Sequence, residues 1–238
     1  MQRAFVLHRW PWQEHGLLLD LLTEHDGRIR VVSKYARSRK STLRSTLQPF
    51  NLIMLELSGR GEVKNLRKAE LECSFPLQGE RVYSGLYMNE LLQRLVREQL
   101  EVQGLFDAYQ QALTLLHQDV DEALLLRRYE WQLLNALDLL DSFSHEARAG
   151  EPIQAQAVYT YVAGTGFLET AELMADRLCM YGEDILAMAQ FDIDTPQRYR
   201  LFRQVMRAAL APHLGDKPLQ SRALRAAAQE AKFGKPIV

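Results

Sequence analysis

The sequence predicts an α+β protein: a small closed five-stranded barrel followed by an all-helical bundle with a small β-hairpin inserted into it. Three observations carry that reading. Up to about residue 75, apolar residues come in short runs separated by turn signals. From about residue 81 they recur at helical spacing, and over 151–169 that spacing breaks down again. The domain boundary is therefore expected near residue 80, giving domains 1–80 and 81–238. A chain of 238 residues, 47% hydrophobic and 25% charged, is long enough to bury a core without a disulfide or a metal.

The strands follow in order. Segment 3–10 (RAFVLHRW) is broken at Trp10-Pro11-Trp12 and followed by 17–24 (LLLDLLTE). His25-Asp26-Gly27 then supplies Asp-Gly between two apolar runs, the strongest short hairpin signal. In Arg28–Lys34 a period of two puts Ile29, Val31 and Ser33 on one face and Arg28, Arg30 and Lys34 on the other, with Val32 interrupting the charged face. A polar stretch, 35–48, leads to strand 49–57, the turn Ser58-Gly59-Arg60-Gly61 and a last strand, 62–72. Five short strands in so few residues suit a small closed barrel, whereas an immunoglobulin-type sandwich needs about seven.

The helices come next. Met88, Leu91, Leu92, Leu95 and Val96 mark a helix over 84–101. Leu126, Tyr129, Leu133, Leu137 and Leu140 mark one over 120–141, apolar on so many sides that it reads as the central helix of the bundle. Phe202, Val205, Met206, Ala209 and Leu210 form the stripe of a helix over 195–212. Ser221 is the expected N-cap of a terminal helix, 222–232. Val158–Val162 followed by Ala163-Gly164-Thr165-Gly166 reads as the inserted hairpin.

The net charge of −1 argues against coating a polyanion only if the charge is evenly spread. It is not: residues 1–80 carry +4, residues 81–190 carry −10 and residues 191–238 carry +5. The cations concentrate in segment 28–55, where Arg28, Arg30, Lys34, Arg37, Arg39, Lys40 and Arg44 stand with no acidic residue among them. Ser38, Ser41, Thr42 and Ser45 lie beside them, and Trp10, Trp12 and Tyr35 fall near strand ends. Cations that track phosphates beside aromatic stacking platforms are what sequence-independent single-strand binding requires. The bland alternatives are a solvated loop and tryptophans that plug the barrel end.

A second basic cluster, Arg200, Arg203 and Arg207, shares one helix face. Arg127 and Arg128 sit on the central helix, where they either pair with Glu130 or Asp121 or receive an acidic peptide or terminal carboxylate. Enzyme signatures such as GxxxxGK[ST], HExxH and GxSxG do not occur, so no catalytic residue, cofactor or metal is expected. Cys73 and Cys179 read as two reduced cysteines. With no apolar run of signal-peptide or membrane-spanning length, a cytoplasmic protein with no membrane partner is expected. A non-catalytic docking platform whose basic barrel face pairs with an acidic protein remains the competitor, and a metal-dependent nuclease ranks below it.

Gly27–Lys34, running on through Ala36-Arg37-Ser38 to Leu47-Gln48-Pro49-Phe50, resembles the N-terminal signature of the RecO family of recombination mediators. Gly59–Lys64, Tyr83–Tyr87 with Asn89–Leu92, and Lys217-Pro218-Leu219 with Ser221-Arg222 are similar to that family in the same order. The resemblance implies an N-terminal OB-fold and a helical domain. It also implies binding of single- and double-stranded DNA, annealing of complementary strands and cooperation with RecR, so that RecA loads onto DNA coated by the single-stranded-DNA-binding protein. DNA contacts are then expected from Arg28, Arg30, Lys34, Tyr35, Arg37, Arg39, Lys40, Arg44 and Trp12, in a cytoplasmic, nucleoid-associated protein. Relatives take up the acidic C-terminal tail of the coating protein on the helical domain; Arg127 best matches a tail-binding arginine, with Arg203 and Arg207 as further candidates. Many members carry a four-cysteine zinc site there, and the hairpin at 151–169 has no cysteine, so no zinc is expected.

Overall fold

Three antiparallel strands come first, β1 (Gln2–Trp12), β2 (Gly16–Thr23) and β3 (Arg28–Ser33), followed by α1 (Leu43–Thr46), β4 (Asn51–Ser58) and β5 (Val63–Ser74). The computed structural model describes all residues except Lys40, Arg60, Glu62, Asp119 and 234–238, and all their side chains except those of Lys232 and Phe233. The five strands close into a barrel in the order β1-β2-β3-β5-β4, with β3 and β5 parallel. Ala4, Val6, Leu19, Leu21, Ile29, Val31, Ile53 and Leu55 fill it. At the Asp26-Gly27 turn the Thr23 N–H and hydroxyl both donate to the Gly27 carbonyl at 2.8 Å.

Trp10-Pro11-Trp12 does not break β1. Beyond Phe5 that strand pairs only with β2, so Pro11 sits on an edge, where its missing N–H is tolerated.

Four helices and a small sheet were legible in outline, but their bounds differ. Helix α2 (Arg81–Leu95) stops short of residue 101 because Val96 turns extended. The chain then runs beside β3, with the Gln99 N–H donating to the Arg28 carbonyl at 2.7 Å. Helix α4 (Glu122–Ala136) is shorter than 120–141, and Asp138 takes a positive φ of 54° just beyond it. Helix α6 is Pro196–Leu214 and α7 is Gln220–Phe233; α3 (Leu105–His117) and α5 (Gly182–Ala189) complete the set. The hairpin, β6 (Val158–Val162) and β7 (Gly166–Thr170), gains a third strand, β8 (Cys179–Tyr181), on β6.

Ser221 is not the N-cap of α7. It lies inside the helix, and the cap is a carboxylate from α2: Glu90 accepts the Gln220 N–H, the Ser221 N–H and the Ser221 hydroxyl at 2.7–2.9 Å.

The chain divides into two compact units, Met1–Leu125 with Pro218–Val238, and Leu126–Lys217. The first runs well past residue 80 because α2 and α3 pack on the barrel. Asn89 donates to the Leu7 carbonyl at 2.8 Å, and the Phe5 ring lies 5.1 Å from Phe106 and 5.0 Å from Tyr109. Gly85 lets α2 come close: a Cβ there would stand 2.9 Å from the Phe50 ring and 2.4 Å from Leu77. The second unit is built around Trp131, Phe143, Phe167 and Phe202, with Trp131 4.5 Å from Phe143 and 5.6 Å from Phe202.

Candidate nucleic-acid interface

The polar stretch after β3 is anchored at both ends. Ala36 and Leu47 are fully buried in the barrel core, and the Arg37 N–H donates to the His15 carbonyl of the β1–β2 turn at 2.8 Å. Further on, the Asn51 amide donates to the Ser45 and Thr46 carbonyls at 3.0 and 2.9 Å. These contacts seat both ends of the stretch on the rim of the barrel. It carries Lys34, Tyr35, Arg37, Arg39 and Arg44, all exposed, with Tyr35 at 71%. Lys40 lies outside the described residues.

Among the described residues, none of Lys34, Arg37, Arg39 and Arg44 forms an ion pair, although the cations of β5 do: Lys64 with Asp26 at 3.1 Å, Arg67 with Glu56 at 3.2 Å and Lys68 with Glu70 at 2.5 Å. The hydroxyls are partly committed to the rim itself. Ser41 accepts the Leu43 N–H and Ser45 donates to the Thr42 carbonyl.

Trp12 joins this rim. Its strand partner is Gly16, where a Cβ would stand 3.2 Å from the indole and 2.8 Å from the Trp12 carbonyl, so the absence of a side chain lets the ring lie across β2. Trp10 and Trp12 are 36% and 40% exposed, so neither plugs the barrel.

Two expected residues are placed differently. Arg28 is not an exposed cation: it is buried, its guanidinium gripping Asp20 through two 2.9 Å contacts and donating to the Val96 carbonyl at 2.9 Å. The period of two is correct, but α2 and the segment after it cover that end of β3, so its outward side is interior. Arg30 is exposed and paired with Glu98 at 3.0 Å, which neutralises much of its field.

One cation lies outside the set expected from the sequence. Arg9 stands opposite Leu19 on the inner side of β1 and donates to the Arg44 and Leu47 carbonyls at 3.4 Å. Burial, and after it the neighbouring Arg44 charge, lower its pKa. An arginine interrupting an otherwise apolar strand next to two tryptophans was the available signal.

Two family models match consecutive parts of the chain: Recombination protein O N terminal over residues 1–75, and Recombination protein O C terminal over residues 76–223. The chain belongs to the RecO family. It is 41% identical over 225 residues to DNA repair protein RecO of Vibrio vulnificus, covering 94% of this chain and 92% of that protein. It is 42% identical over 238 residues to DNA repair protein RecO of Pectobacterium atrosepticum, covering 99% and 96%. The barrel fits the OB-fold expected of a RecO N-terminal domain. The family models change over at 75/76, at the end of β5, whereas the first compact unit of this RecO-family chain continues into the helices.

In the second unit, Arg200, Arg203 and Arg207 are exposed along α6, opposite its buried stripe. Arg127 is otherwise: its side chain is 12% exposed and pairs at 2.5 Å with the fully buried Glu130. That contact leaves little of the Arg127 side chain open. Arg128 lies 5.8 Å from the Phe191 ring. Among the described residues, no helix is long and apolar enough to cross a membrane, and no group of three His, Cys, Asp or Glu side chains is placed to hold a metal ion.

Proposed function

We propose that this chain is a DNA-binding recombination mediator acting in recombinational DNA repair. It anneals complementary strands and, with RecR, helps RecA load onto DNA coated by the single-stranded-DNA-binding protein. The observation that carries this reading is the anchored rim of Lys34, Arg37, Arg39 and Arg44, which form no ion pair among the described residues and stand with exposed Tyr35 and Trp12. Such a rim holds phosphates of single- or double-stranded DNA without reading sequence, and it neutralises the repulsion between two strands so that they approach and pair. No step needs a cofactor or a catalytic group. The names of the relatives, DNA repair protein RecO, support the same process. The exposed Arg203 and Arg207 offer a separate place for the acidic tail of the coating protein. Nucleoid association in the cytoplasm follows from the DNA partner.

Strand annealing measured with and without the coating protein, across salt, tests the reading. With four or five phosphate contacts, log K against log salt should slope roughly −3 on a single strand. A slope near zero on bare oligonucleotide, with tight binding to an acidic protein instead, would make the barrel a docking platform.

A further inference from the structure

Val32 is the residue that interrupts the charged face of β3, and the register explains its presence. Trp10 of β1 pairs with Leu18 of β2, which pairs with Val32 of β3, so the three form one row across the outward face. Rows on either side carry Trp12 and Gly16 above, and His8, Asp20 and Arg30 below. Asp20 presents no free charge to that face, being fully buried under Arg28. The row is therefore uncharged; Trp10 is its exposed member, Leu18 is half-buried and Val32 is buried. Within it, the Trp10 indole is not loose: the His8 ring stacks on it at 4.3 Å, tilted by 35°, while the indole keeps 36% of its surface open.

We propose that this row is a base-stacking platform, on which Trp10, held by His8 and flanked by Leu18 and Val32, takes an unpaired base of a strand whose phosphates lie on the rim. The inference rests on the DNA-binding reading and adds selectivity to it. Phosphate contacts alone hold duplex and single strand alike, whereas an aromatic face engages only a base that has left its own stack. The occupant is a nucleic acid strand and not an apolar protein segment, because no acidic residue occurs from 28 to 55 and the rim cations border the row. Trp10 contacts the base; His8, Leu18 and Val32 are positioning residues.

The test compares the full-length chain on three ligands of equal length, about 15 nucleotides to cover one barrel face: oligothymidylate, the same phosphodiester backbone with every base removed, and duplex DNA. Wild type should prefer oligothymidylate over the abasic strand by roughly tenfold or more. Trp10→Ala should erase that preference while leaving abasic binding unchanged, Trp10→Phe should keep part of it, and His8→Ala should reduce it. A thermal melt confirms that each variant folds. Equal wild-type affinity for thymidylate and abasic strands overturns the platform while leaving DNA binding intact. An equal loss on both ligands in Trp10→Ala, or duplex binding as sensitive to Trp10 as single-strand binding, also overturns it. If no nucleic acid binds, or Arg37→Glu with Arg39→Glu changes nothing on any ligand, the DNA-binding reading itself has failed.

Discussion

Arg28 meets Asp20 fork to fork, Nε to Oδ1 and Nη2 to Oδ2 at 2.9 Å each, with Asp20 fully buried and receiving a third hydrogen bond from Gln93 of α2 at 3.0 Å. The pair ties β2, β3 and α2 together inside one unit. Removing one partner of such a pair strands a buried charge, which costs roughly 3–5 kcal/mol. Arg28→Ala should therefore lower stability by about that much in urea denaturation, and Arg28→Lys by less, since it keeps the charge and loses the fork. Under conditions where the variant remains folded, its DNA affinity should match wild type. A weakened affinity in the folded variant would return Arg28 to the binding face.

The rim and β5 carry cations in different states, and that difference is measurable. Arg37→Glu with Arg39→Glu should abolish annealing, flatten the salt dependence by about 0.7 per lost contact on a single strand, and leave the melting temperature unchanged. The same reversal at Arg67 and Lys68 should change DNA binding little, because both are held by Glu56 and Glu70. A mobility-shift titration across salt reads both. Comparable losses from the two double variants would mean that the rim has no privileged role.

Much of this was legible because local signals and burial agreed. The Asp26-Gly27 turn, the alternation of Ile29, Val31 and Ser33, and the stripe of α6 all follow from one residue's neighbours in sequence. The stripe of α3 (Leu105, Phe106, Tyr109, Ala112, Leu113 and Leu116) is equally regular, although α3 is not among the helices expected from the sequence. What sequence could not supply was which elements cover which faces. Arg28 and Arg30 look equivalent two residues apart, yet one lies under the Val96–Gln99 segment and the other does not. Ser221 has the chemistry of an N-cap, but a carboxylate 131 positions away takes that role. Val32 breaks the alternation of β3 in sequence, and only the register, which sets it between Leu18 of β2 and Asn65 of β5, accounts for it.

Glu90 gives the C-terminal helix a pH-dependent anchor. Burial pushes its carboxyl up, but the Ser221 N–H and hydroxyl, the Gln220 N–H and the Arg94 guanidinium together hold it below the ordinary value of 4.5. A depressed carboxylate contributes stability that is fully present above its ordinary value and is lost as pH falls through the depressed one. Losing a cap costs about 1–2 kcal/mol. Hydrogen exchange over Gln220–Ala231 should thus stay protected from neutral pH to about 4.5 and quicken below it. Arg225 also ties α7 to Glu80 at 3.0 Å and to Glu122 at 3.5 Å. Glu90→Gln isolates the contribution: it should expose α7 to exchange already at neutral pH and reduce the remaining acid dependence. Unchanged exchange in that variant would show that the Arg225 contacts alone hold the helix.

Arg127 and the α6 arginines differ in burial and in pairing within the second unit. Arg127→Ala removes the guanidinium from a fully buried carboxylate, so it should cost roughly 3 kcal/mol in urea unfolding. Arg203 and Arg207 are exposed one helical turn apart and carry no ion pair among the described residues, so reversing both should leave stability within about 0.5 kcal/mol. If α6 receives an acidic tail, Arg203→Glu with Arg207→Glu should weaken binding of a synthetic acidic C-terminal peptide at least tenfold, more at low salt than at high salt. Fluorescence anisotropy of the labelled peptide measures this, and urea titration of the same preparations controls for folding. The opposite pattern, in which a fully folded Arg127→Ala loses the peptide and the α6 double variant keeps it, would place the tail on α4 and make the Glu130 contact a resting state that the peptide displaces.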